Sequence, residues 1–240
     1  MSWIINVLTM FPGLFPGPLK ESVIGRGLKQ NLWTLKAHNI RDFALDKHKS
    51  VDDTTFGGGN GMILRPDVLS NAINQTFDFS TPIIYLSPRG KLFNQEMARS
   101  LVSNNKGINL ICGRFEGIDE RVIEKFNIEE ISIGDYVLSS GDLAAYVVID
   151  ACVRNIPGVL QSKDALQEES FGDSEKYQYL LEYPQYTRPA IFEDLAVPEI
   201  LLSGNHEKIN LWRLQKAEEK TQKVRQEIWA KYTQFLKKKD

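Results

Sequence analysis

A chain of 240 residues with 42% hydrophobic and 25% charged residues has the balance of an ordinary globular fold and is long enough to bury a substantial core. A net charge of -2 excludes a protein that coats nucleic acid indiscriminately, and no membrane association is expected, because the apolar start MSWIINVLTMF lacks a basic flank and is too short to span a bilayer. Cys112 and Cys152 lie far apart in apolar segments without CxxC spacing, so both read as reduced core residues and the expected compartment is cytoplasmic.

In chain order, the apolar runs at residues 4–8 and 32–37 predict the first two strands. Residues 56–62 then place four glycines in five positions. The spacing permits GxGxG, but Ser50 to Thr55 is no hydrophobic strand, so a nucleotide-binding glycine loop is disfavoured, and no GKS or GKT supports a P-loop. The segment supplies backbone that can approach a ligand closely, or a plain surface loop.

Strands follow at 83–86, 108–112 and 131–133, with amphipathic helices at 94–103 and 118–126 between them. That alternation predicts an α/β fold, a mostly parallel sheet with helices on both faces. Each of these three strands leads into a turn-rich loop: 87–90, 113–117 and 134–141. In open α/β sheets such strand ends wall the ligand site. A helix over 142–154 stops at Asn155-Ile156-Pro157-Gly158.

Residues 161–199 hold nine acidic and three basic side chains and several prolines, which reads as a linker over 161–200. After Asn205, a plausible N-cap, Leu214, Ala217, Thr221, Val224, Ile228, Tyr232 and Phe235 mark one face of a long helix, giving a small helical domain at 201–240 behind an α/β domain at 1–160. Residues 206–240 carry ten Lys and Arg against five Asp and Glu, +5, leaving -7 for the rest. Lys216, Lys220 and Lys223 are therefore candidate polyanion contacts, or a solvated helix face.

Seven blocks resemble the bacterial tRNA (guanine-N1)-methyltransferases of the TrmD family: RDFALDKHKSVDDTTFGGGNGM (Arg41 to Met62), YLSPRGK (Tyr85 to Lys91), ICGRFEGIDERV (Ile111 to Val122), SIGDYVLSSGDL (Ser132 to Leu143), RNIPGVL (Arg154 to Leu160), YTRP (Tyr186 to Pro189) and LLSGNH (Leu201 to His206). The resemblance implies a SPOUT-class fold with a C-terminal trefoil knot in the α/β domain, and an antiparallel homodimer whose active sites draw on both subunits. It further implies a divalent ion, usually magnesium, and methyl transfer from S-adenosylmethionine to the guanine immediately 3' of the anticodon, position 37, which supports reading-frame maintenance.

By the same resemblance the cofactor lies against Tyr85, Leu86, Ser87, Pro88, Gly113, Glu116, Gly117, Ile133, Gly134, Asp135, Tyr136, Val137, Leu138 and Gly141. The usual second glycine before Gly141 is Ser140 here. Residues meeting the anticodon stem-loop of tRNA would be His48, Gly57, Gly58, Gly59, Asp119 and Ser170, together with the three lysines. Glu116 and Asp119 could instead hold the metal or be ordinary helix N-terminal charges; no metal ligands are assigned.

Attack by guanine N1 needs a base for its proton and a cation near O6. The family's arginine falls on Arg154, and its catalytic aspartate on Glu169 within Glu168-Glu169-Ser170-Phe171. Glutamate extends that carboxylate by one carbon–carbon bond, about 1.5 Å, and Glu168 is its rival.

Overall fold

The computed structural model describes residues 2–59, 61–162 and 166–238; Asn60 of the glycine segment, residues 163–165 of the acidic stretch and the chain ends fall outside them. The chain divides into two compact units, Met1–Gln161 and Ser162–Asp240.

The first unit runs through β1 (Trp3–Thr9), α1 (Ser22–Lys29), β2 (Trp33–Asn39), β3 (Asp52–Thr54), β4 (Met62–Leu64), α2 (Pro66–Thr76), β5 (Ile83–Leu92), α3 (Gln95–Asn104), β6 (Gly107–Cys112), α4 (Glu120–Phe126), β7 (Glu129–Ser132) and α5 (Gly141–Val153). Five parallel strands form its sheet in the order β2-β1-β6-β5-β7. A parallel strand is covered on both faces, so β6, GINLIC, is buried at every position.

One face of the sheet packs Ile5, Val7 and Leu110 against Ala98 and Leu101 of α3 and Ala145 and Ile149 of α5. The other packs Leu8, Ile83 and Ile111 against Leu69 and Ile73 of α2 and Val122 of α4. Truncating a fully buried Leu or Ile of either layer to alanine removes about 2–5 kcal/mol. Side-chain caps start the helices that follow strand-end loops: Asn94 accepts from the Met97 N–H at 2.8 Å and Asp119 from the Arg121 N–H at 3.0 Å.

β5 departs from its sequence pattern. Instead of ending at Leu86 it re-enters the sheet at Lys91, and Leu86 and Lys91 both pair with Ile131. Residues 87–90 are thrown out of the ladder between them. Gly90 permits this, since a Cβ there would collide with the main chain of Glu130 and Ile131.

In the second unit, β8 (Ile191–Phe192) and β9 (Leu195–Ala196) form a short hairpin, followed by α6 (Glu199–Leu202), α7 (His206–Val224) and α8 (Gln226–Lys237). Asn205 does cap α7, accepting from the Lys208 N–H at 3.1 Å. The single long helix expected after it is two helices, separated at Arg225. Tyr232 donates to Glu218 Oε1 at 2.6 Å, although fourteen helical residues would span about 21 Å in a straight helix. The chain therefore folds back, and its apolar stripe closes on itself.

The stretch assigned to a linker is knit into this unit. The Asp173 N–H donates to the Leu166 carbonyl at 2.7 Å and the Phe171 N–H to that of Leu180 at 2.9 Å. Tyr177, Leu180 and Tyr183 pack with Ala217 and Tyr232. Burial of these three anchors outweighs the acidic, proline-containing composition that reads as a linker. No helix among the described residues is long and apolar enough to cross a membrane.

Candidate active site

A cavity of about 260 Å³ opens at the carboxyl ends of β6 and β7 and beside the interruption of β5, walled by the loops that leave β6 and β7 and by the segment of β5 outside the ladder. The thrown-out segment 87–90 forms one side. On another, the start of α5 presses on the end of β6: the Gly141 N–H donates to the Gly113 carbonyl at 2.9 Å. A Cβ at Gly141 would stand 2.9 Å from Cys112 Cα and from the Gly113 nitrogen, an approach only glycine allows. Ser140, beside it, caps α5 through the Asp142 N–H and lines the cavity.

Behind Gly141, Asp142 is only 1% exposed and accepts from Thr9 Oγ1 at 2.5 Å. Thr9 Oγ1 in turn accepts the Phe11 N–H, the Arg114 guanidinium lies 4.7 Å from the centre of the Phe11 ring, and Arg114 donates to the Ser139 carbonyl at 2.9 Å. This chain of contacts ties two of the cavity's loops to the end of β1. Burial, then the Asp142 carboxylate, push the Cys112 thiol well above its usual range, so it stays protonated and offers no nucleophile.

The lining includes every residue that the resemblance assigns to the cofactor except Asp135, which is exposed and outside it. Ser140, noted in the sequence as standing where a glycine is usual, also lines it, as do Arg89, Arg114, Phe115, Ser139 and Ala144, which were not singled out. These five stand inside or beside the same motifs, which is the only signal that could have found them. The Tyr85 hydroxyl is raised, chiefly by burial and then by Glu130, so it remains a neutral donor.

The glycine hairpin abuts this wall. The Glu116 N–H donates to the Met62 carbonyl at 2.9 Å, and the Leu64 N–H to that of Gly117 at 3.0 Å. Gly57, Gly58 and Gly59 lie exposed between β3 and β4. His48 is exposed, its backbone N–H on Asp46. Asp119 pairs with Arg121 at 2.7 Å, and the hydrogen bond from Arg121 holds its carboxyl below the usual range, so its charge is engaged within the first turn of α4.

Arg154 is the half-buried C-cap of α5. It is not among the cavity's lining residues, and thirteen residues of helix put it about 20 Å from Gly141. In the second unit, Glu168 Oε2 accepts from the Tyr183 hydroxyl at 2.9 Å and lies 3.5 Å from Arg213 Nη1. Burial, then Glu168, push that hydroxyl up to about 12.

Glu169 is half-buried, with its carbonyl accepting the Gly172 N–H at 2.8 Å, and Ser170 Oγ accepts the Glu182 N–H at 3.0 Å. Lys216 pairs with Glu219 at 2.6 Å, while Lys220 and Lys223 are exposed. No group of three or more His, Cys, Asp or Glu among the described residues is placed to hold a metal ion, so the residues present do not fit the divalent ion as a protein-held group.

Among proteins of known family, this chain matches the family profile described as tRNA (Guanine-1)-methyltransferase TrmD over residues 3–231. Similar proteins named tRNA (guanine-N(1)-)-methyltransferase include that of Pelagibacter ubique, 48% identical over 96% of this chain and 98% of the relative. That of Rhodopseudomonas palustris is 52% identical over 96% and 89%, and that of Bartonella henselae 49% over 99% and 100%. The chain belongs to the tRNA (guanine-1)-methyltransferase TrmD family.

Proposed function

We propose that this chain transfers a methyl group from S-adenosylmethionine to N1 of the guanine immediately 3' of the anticodon in tRNA, position 37, supporting reading-frame maintenance in the cytoplasm. The observation that carries the reading is the single cavity assembled from three separate family motifs at adjacent strands. Its volume is near the lower end of small-ligand clefts, about 300 Å³. Its lining suits the cofactor: Leu86, Ile133 and Leu138 offer apolar faces, and the loop backbones offer amide donors and acceptors to an adenine edge.

When bound, the cofactor supplies an electrophilic methyl carbon on a sulfonium. The chain's own residues do the rest: they align guanine N1 with that carbon, accept the N1 proton and stabilise charge at O6. We assign the proton to Glu169, because the family's catalytic aspartate falls on that position. Arg154 is assigned to O6.

A homodimer belongs to this reading. Leu143 and Val147, one turn apart on α5, are 54% and 48% exposed, and Tyr146 between them donates to the carbonyl of Leu14, itself an exposed apolar residue. A second copy covering that face would also account for Arg154 lying so far along α5 from Gly141. The trefoil knot is proposed on the family's likeness and on the chain's course, which passes from β6 to β7 beyond β5 and then returns to Gly113. The helices of the second unit are taken to grip tRNA, and no divalent-ion site is assigned.

Mapping methylated nucleosides after incubating the protein with total tRNA and labelled S-adenosylmethionine tests the reading. N1-methylguanosine confined to position 37 is expected; label at another base, or none, overturns it.

A further inference from the structure

The second unit has a cleft of its own, about 400 Å³, between the 183–190 segment and the residues of α6 and α7. Tyr186 is 48% exposed on one side, with its ring centre 6.3 Å from that of Trp212 and the two planes inclined at 55°. At that distance and tilt the rings do not stack fully on each other, so aromatic face is left to the cleft. Val197, Leu201 and Ile209 supply apolar lining.

The polar lining is one-sided in charge. Arg188 and Arg213 contribute, no Asp or Glu does, and His206 adds an imidazole, on a chain whose formal charge is negative. Arg213 is held in place by its guanidinium 4.9 Å from the Tyr183 ring centre and by Glu168, and its Nε is buried without a hydrogen-bond partner. Arg188 is exposed at the rim and Thr187 presents a hydroxyl beside it, while the Gln185 amide nitrogen donates to Glu182 Oε1 at 2.6 Å.

Flat aromatic surface, hydrogen-bonding side chains and a cationic rim together suit an unstacked nucleotide of the RNA that the family acts on. We propose that this cleft binds a single splayed-out nucleotide of the RNA substrate, with its base against Tyr186 and Trp212 and its phosphate at Arg188. The inference rests on the tRNA reading above and adds to it a base-holding subsite distinct from the lysines of α7.

Binding of a fluorescent tRNA transcript to the full-length protein, followed by anisotropy over a range of salt, tests it. Tyr186→Ala should weaken binding about tenfold through lost stacking, while Tyr186→Phe should bind like the parent. Arg188→Gln should flatten the slope of log affinity against log salt by about 0.7–0.9, one phosphate contact. S-adenosylmethionine affinity, thermal melting and oligomeric state should be unchanged in all three. Parent-like binding and salt slope in both Tyr186→Ala and Arg188→Gln would overturn the subsite while leaving the tRNA reading intact. Loss of self-association with unaltered RNA affinity would also overturn it, making the cleft a protein contact. A parent that binds no tRNA would overturn the subsite together with the reading on which it rests.

Discussion

A Cβ at position 141 would meet only main-chain atoms, Cys112 Cα and the Gly113 nitrogen, both at 2.9 Å, so no side-chain rotation could absorb it. Gly141→Ala must move either α5 or the end of β6, and both border the cavity. Overpacking of this kind costs about 1–3 kcal/mol. Calorimetry should show S-adenosylmethionine binding weakened about tenfold or more, and parent-like affinity with unchanged melting would mean that the approach relaxes freely. The adjacent carboxylates of the second unit carry different expectations. Glu168→Gln gives up a partly exposed contact to Arg213, so it should lower stability by about 1 kcal/mol or less and leave most turnover. Glu169→Gln keeps side-chain size but removes basicity, and should cut single-turnover methylation about a hundredfold or more with cofactor affinity unchanged. Parent-like chemistry in Glu169→Gln alongside a dead Glu168→Gln would move the base by one residue.

At the scale of elements, Lys216, Lys220 and Lys223 follow helical spacing along α7, but they are not equivalent. Lys216 already has Glu219 at 2.6 Å, so its release from RNA is partly compensated. The Lys220→Ala, Lys223→Ala pair should reduce the salt slope of tRNA binding by about 1.4–1.8, and Lys216→Ala alone by clearly less. An unchanged slope would make the basic face merely solvated. What the sequence reveals here depends on periodicity surviving burial. The five parallel strands and α3, α4 and α5 were legible because their apolar runs have the right lengths and clear stops. The cavity's lining was legible through family motifs, not through hydropathy. By contrast, α1 carries Gly25, whose Cβ would strike the Lys20 carbonyl, so tertiary packing demands a residue that lowers helix propensity. The return of β5 after residues 87–90 is hidden because its polar segment looks like a terminal turn. The break at Arg225 has no glycine or proline to announce it, and the apolar stripe reads continuously from Val224 to Ile228. Tyr177, Leu180 and Tyr183 anchor their segment at only three positions, too few to stand out in an acidic stretch.

At the scale of the whole molecule, the position of Arg154 separates two ways of building one active site. The cavity borders Gly141 at the first turn of α5, whereas Arg154 closes the same helix about 20 Å away and is absent from the lining. An arginine side chain reaches about 7 Å from its Cα by summed bond lengths, which does not span that interval. If a second copy packs on the exposed Leu143 and Val147 face, a two-fold axis gives each copy's Arg154 the chance to serve its partner's cavity. Mixing a chain that carries Arg154→Ala but an intact cavity with a chain that carries Gly141→Val but an intact arginine makes the two arrangements distinguishable. Under random reassortment half the dimers are mixed, and in each of them one cavity is intact and faces an intact arginine, so activity should recover to about a quarter of the parent value although neither homodimer is active. If each Arg154 serves its own cavity, every intact cavity lacks its arginine and every intact arginine faces a blocked one. The mixture should then stay as inactive as its components, and the composite site would have to be given up even if size measurements showed a dimer.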